Sequence, residues 1–138
     1  MDREQFLTWS ESVLEPCAVP GARPGGATPY RTVRIAPWQY LGVDALNNGT
    51  LRVYLYSTHA TFKTRWMRLR NTLEVKEQPS HLNPLPPDSR SRLFMRDNGE
   101  AQRGFFGFEW RPISEDLSPE RAPLSQYVEW LLHVCRKG

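Results

Sequence analysis

Apolar residues recur along this chain with two periods, and the switches between them predict its elements. Residues 3–15 place Phe6, Trp9 and Val13 at i, i+3 and i+7 with Leu14 beside them, the spacing of one helix face. Pro16 ends that helix, because proline lacks the N–H that a helix interior uses. From Pro16 to Pro29 four prolines and three glycines break any period, so this stretch reads as a long surface loop. Period two then takes over. Tyr30–Ile35 alternates up to Pro37, and Trp38–Leu46 is a second extended segment. Asn47-Asn48-Gly49 follows, and an Asn-Gly pair between apolar runs predicts a tight hairpin, since both residues tolerate positive φ. In the next strand Leu51, Val53 and Leu55 face one way and Arg52, Tyr54 and Tyr56 the other.

The second half repeats the alternation of periods. Phe62, Trp66, Leu69 and Leu73 form the apolar stripe of a helix over 62–77, flanked by Lys63 and Arg70 on one side and by Arg65 and Arg68 on the other. A second proline-rich loop, 79–90, leads to Arg92-Leu-Phe-Met-Arg96, which separates Leu93 and Met95 from Arg92, Phe94 and Arg96. Asp97-Asn98-Gly99 marks a turn. The partner strand Phe105–Trp110 puts Phe106, Phe108 and Trp110 on one face and Phe105 and Glu109 on the other. Pro112, Pro119 and Pro123 frame a third loop, after which Leu124, Tyr127, Val128, Leu131 and Val134 give a C-terminal helix its apolar side. The expected fold is α+β, a single domain over 1–138, with a mainly antiparallel sheet of four to five strands and N-terminal, central and C-terminal helices.

Composition narrows the class. At 138 residues with 39% apolar side chains, the chain is long enough to bury a core without staples. Asp2, Glu4, Glu11 and Glu15 fall where a secretory signal would need a basic start and an apolar run, and nothing approaches the length of apolar chain that spans a bilayer. A cytoplasmic or otherwise intracellular protein is expected, with no membrane partner. The two cysteines, Cys17 and Cys135, make no CxxC pair, and His59, His81 and His133 are scattered, so neither a metal nor another cofactor is expected. Whether the two thiols are bridged stays open.

Charge is more informative in its distribution than in its sum of +3. The N-terminal segment is acidic, whereas cations gather at 63–70 and again at Arg90, Arg92, Arg96 and Arg103. Arg52, Tyr54, Lys63, Arg65, Arg68, Arg70, Arg92, Arg96 and Phe105 make up a candidate basic and aromatic face of the kind that holds nucleic acid, with arginine at phosphates and flat rings under bases. Val53-Tyr-Leu-Tyr-Ser-Thr58 resembles the shorter signature of RNA-recognition motifs, and Arg103-Gly-Phe-Phe-Gly-Phe-Glu-Trp110 resembles the longer one, with Gly107 at an expected aromatic. That resemblance runs from 51 to 134 and implies stacking at Tyr54 and Phe105. Val53-Tyr-Leu-Tyr, the 62–77 helix, Leu85-Pro-Pro-Asp-Ser-Arg-Ser-Arg-Leu93 and Val128-Glu-Trp-Leu are also similar to a bacterial domain family of unknown function found beside restriction-endonuclease-like modules.

Two other functions compete with a non-enzymatic binder of DNA or RNA. Tyr, Trp and Arg equally suit a protein-interaction domain such as an inhibitor, immunity factor or assembly subunit. Asp44 with Glu74-Val-Lys76 has the residue types of a metal-dependent nuclease. Near a helix end, however, Glu74 and Lys76 lie about 200° apart and cannot converge on one ion. No residue pattern identifies a reaction or a catalytic residue.

Overall fold

The computed structural model describes residues 1–57, 92–97 and 104–137, with side chains for 1–57 and 105–133. The expected 62–77 helix, the 79–90 loop and the turn after Asp97 lie outside the described residues. Within them the fold class is as the periods predict: α1 (Arg3–Leu14), β1 (Tyr30–Ala36), β2 (Gln39–Ala45), β3 (Leu51–Ser57), β4 (Arg92–Asp97), β5 (Gly104–Trp110) and α2 (Arg121–Lys137). The strands form one sheet in the order β1-β2-β3-β5-β4, every neighbouring pair antiparallel. β3 and β4 therefore run parallel with β5 between them.

The two described helices pack on one face of this sheet, α1 over β1 and β2, α2 over β3 and β5. α1 starts at a capping box: Gln5 N–H donates to Asp2 Oδ1 and Asp2 N–H to Gln5 Oε1, both at 2.8 Å. Its buried residues are Phe6, Leu7, Ser10 and Leu14, so the stripe lies slightly round from the expected one, and Trp9 and Val13 pack at its margin. Pro16 sits in a short 3-10 turn, Glu15–Cys17, that closes the helix. Under α2 the core is aromatic. Phe108 stacks on Tyr127 at 4.6 Å and meets Trp130 edge-on at 5.2 Å, while Trp110 crosses Tyr127 at 5.0 Å. Trp130, absent from the expected apolar side, is fully buried.

Two loop expectations are corrected. Pro123 lies inside the first turn of α2, not in a loop, because the first turn's N–H groups have no intrahelical acceptor and proline loses nothing there. In the β2–β3 turn only Gly49 takes positive φ, at 89°. Asn48 acts through its side chain instead, its Oδ1 accepting from Thr50 N–H at 3.0 Å.

The 16–29 loop is exposed for much of its length, yet it is tied to the sheet. Gly25 and Thr32 exchange backbone hydrogen bonds of 3.0 and 2.8 Å, Val19 N–H donates to Arg34 O at 3.0 Å, and Tyr30 N–H donates to Ala27 O at 2.8 Å. Arg31 faces the helix side from the same strand, 6% exposed, and reaches Glu4 at 3.0 Å and Glu11 at 3.5 Å on α1. This loop and the sheet's other face together frame the candidate site.

Candidate functional site

Strand register sorts the sheet's second face, opposite the helices, into rows. Thr32, Gly42, Tyr54 and Gly107 align across β1, β2, β3 and β5; one step along, Tyr30, Asp44, Arg52 and Glu109 align; one step the other way, Arg34, Tyr40, Tyr56 and Phe105 do. In β4, Arg92 pairs with Glu109 and Arg96 with Phe105, which extends the two outer rows to the far strand.

The middle row explains why Tyr54 is buried while Arg52 and Tyr56, on either side of it along β3, are half-buried. A Cβ on Gly42 would fall 2.6 Å from the Tyr54 ring, so the ring lies in the space that glycine leaves. Gly107 on the other side would place a Cβ 2.0 Å from Val53 O and 2.6 Å from Tyr54 Cα, so a side chain is excluded there as well. Lying over Gly42, Tyr54 reaches Asp44, and its hydroxyl donates to Oδ1 at 2.6 Å. Burial pushes the Asp44 carboxyl up to about 6, opposed by the Tyr54 hydrogen bond and the nearby Arg52 charge. Burial and the adjacent carboxylate together push the Tyr54 phenol far above its ordinary value.

The other two rows differ in character. Arg52 Nε donates to Glu109 Oε2 at 3.2 Å, so this cation is met by a carboxylate on the next strand. Tyr40, Tyr56 and Phe105 instead form a partly exposed aromatic strip, with ring centroids 5.2 Å apart for Tyr40 and Tyr56 and 5.1 Å for the stacked Tyr56 and Phe105. Tyr54 meets Phe105 edge-on at 5.4 Å and joins the strip to the buried pair. Between strip, pair and loop opens a cavity of about 640 Å³. Asp44, Arg52, Tyr54, Tyr56 and Phe105 line it on the sheet side, with Tyr30 at the start of β1, and residues 25–27 on the loop side.

The residues expected to bind thus fall into three groups. Phe105 stands in the aromatic strip, and Arg96 is its register partner. Arg52 and Tyr54 are on the same face but are engaged by Glu109 and Asp44, and Arg92 is in register with Glu109. Lys63, Arg65, Arg68 and Arg70 lie outside the described residues, as do Glu74 and Lys76. Asp44, considered earlier as a nuclease carboxylate, is held by Tyr54; among the described residues no group of three or more His, Cys, Asp or Glu side chains could hold a metal ion. Cys17 Sγ donates to Val13 O at 3.5 Å. No described helix is long and apolar enough to cross a membrane.

Sequence reading passed over Arg34, Tyr40 and Tyr30. The signal for them was present: once the Asn47–Gly49 hairpin fixes β2 against β3, Tyr40 must pair with Tyr56 and Asp44 with Arg52. Comparison with known proteins gives no match, whether to a family model, a curated protein or a solved structure. The two resemblances noted from short segments therefore rest on those segments alone.

Proposed function

We propose that this protein is a non-enzymatic module that binds single-stranded nucleic acid across the sheet face opposite its helices. One observation carries the reading: the register row Arg34, Tyr40, Tyr56, Phe105 and Arg96 crosses all five strands, with three adjacent rings between two arginine positions. Four strand spacings of about 4.8 Å give the row a span of about 19 Å. Three rings over that span suit two or three stacked bases, and an arginine position at each end suits the flanking phosphates. Tyr54, buried under the strip, supports the face from below and does not itself stack on a base.

A protein-interaction surface is the competing reading, and the Arg52–Glu109 pair favours it, because it removes a cation from the described face. Salt dependence separates the two. Labelled single-stranded RNA and DNA, and duplexes of the same sequence, are titrated at low and moderate salt against the wild type and Tyr56→Ala. Binding of single strands that weakens with salt and with the substitution supports the proposal. No binding at low salt, or equal binding by the variant, removes it.

A further inference from the structure

We infer that the cavity beside the aromatic strip is a base-reading pocket that selects guanine through the Asp44 carboxylate; this rests on the nucleic-acid reading above and extends it to sequence preference. The cavity shares Tyr56 and Phe105 with the strip, so a base leaving the stacked row has a place to turn into. Its loop-side wall is thin. Gly25 and Gly26 carry no side chain, and Gly26 has to be glycine, because at φ 138° a Cβ would sit 2.8 Å from Tyr30 O. Tyr30 is the cross-strand partner of Asp44 and is 51% exposed, so it offers a ring face beside the carboxylate.

Asp44 is the polar group that chooses. It is only 6% exposed, and its orientation is fixed by the Tyr54 hydroxyl on Oδ1. Among the described residues Oδ2 accepts no hydrogen bond, and Asp44 lines the cavity. A carboxylate only accepts hydrogen bonds. Of the four RNA bases, guanine alone places two donors side by side on its pairing edge, N1–H and the N2 amino group. Adenine and cytosine each set a ring-nitrogen acceptor beside their amino group, and uracil's single N–H lies between two carbonyls. An ionised Asp44 therefore attracts the guanine edge and repels a lone pair on each of the others. The groups facing it are Tyr30 from β1, Arg52 and Tyr54 from β3, and Glu109 beyond Arg52 on β5. With its carboxyl near 6, Asp44 is ionised at neutral pH and protonated under mild acid, where it can donate and the preference for guanine should fall.

The test uses fluorescence anisotropy with labelled short oligouridines carrying one central G, A, C or U, at about pH 7.5 and about pH 5. The wild-type chain is compared with Asp44→Asn, whose fold is checked by urea denaturation, and guanosine 5′-monophosphate is titrated separately. Expected is a roughly tenfold preference for the G-containing strand at the higher pH, the lower part of what a well-made paired base contact gives. Asp44→Asn and the lower pH should each bring it to within about twofold. If oligonucleotides bind without base preference, or the preference survives Asp44→Asn, the pocket assignment falls while the binding face stands. Saturable, Asp44-dependent guanosine monophosphate binding without oligonucleotide binding would keep the pocket and overturn the face; no binding of either overturns both.

Discussion

The hydroxyl of Tyr54 donates to Asp44 Oδ1 at 2.6 Å, reaching diagonally from β3 to β2 across the bare backbone of Gly42. This contact buries an ionisable pair on the face away from the helices, and it sets the first two predictions.

Asp44 should make folding stability depend on pH in the direction opposite to that of an ordinary ion-paired aspartate. Its folded value of about 6 lies above its ordinary 3.8, so between them the native state holds more proton than the unfolded chain. Stability from this group is then highest below about pH 4 and is lost as pH rises through about 6, on the order of 3 kcal/mol in all. Asp44→Asn should gain on the wild type by that order between pH 4 and pH 7.5. Urea denaturation across this range measures it, and a wild type that gains on the variant instead would contradict the assignment.

Gly42→Ala should be costly only while Tyr54 is present. The added methyl meets the ring at 2.6 Å, so the expected loss is about 1–3 kcal/mol in the wild-type background. In a Tyr54→Ala background the same change should cost under about 1 kcal/mol. A double-mutant cycle with no coupling would mean that the ring does not occupy this space.

The layout of the sheet was largely legible from period two. Leu51, Val53 and Leu55 were separable from Arg52, Tyr54 and Tyr56, and Phe106, Phe108 and Trp110 from Phe105 and Glu109, and each set lies on the expected side. Tyr54 shows the limit. Alternation gives the face toward which a side chain points, but not whether a neighbour's missing side chain lets it lie down and be covered. That took the pairing of Tyr54 with Gly42, a property of two strands together. Arg31 escaped for a related reason: it lies on the core side of an edge strand, where two glutamates of α1 make a charge acceptable.

Glu120 is fully buried just before α2, where Oε1 accepts from Trp110 Nε1 at 2.9 Å and Oε2 from Ile113 N–H at 3.4 Å. Glu120→Ala leaves the buried indole N–H without this acceptor and should destabilise by about 2–3 kcal/mol. Glu120→Gln keeps an acceptor in place and should cost about half as much or less. Urea denaturation followed by tryptophan fluorescence distinguishes them, and equal losses would show that the hydrogen bond is not what matters.

On the proposed binding face, Tyr56→Ala and Phe105→Ala should each weaken single-stranded RNA binding by about 5- to 150-fold, the range for losing one stacked base. Arg34→Ala should act differently. Loss of one phosphate contact should lower affinity for all sequences alike and make the slope of log K against log salt shallower by about 0.7. Anisotropy titrations over a salt series read both effects.

The loop before β1 also has a consequence for colloidal behaviour. An outermost strand ordinarily presents a ladder of unsatisfied amides and carbonyls that a second molecule can zip onto. Here Ala27, Gly25, Val19 and the Arg31 guanidinium meet Tyr30 N–H, both backbone groups of Thr32, Arg34 O and Tyr30 O. That flank is insulated against cross-β growth.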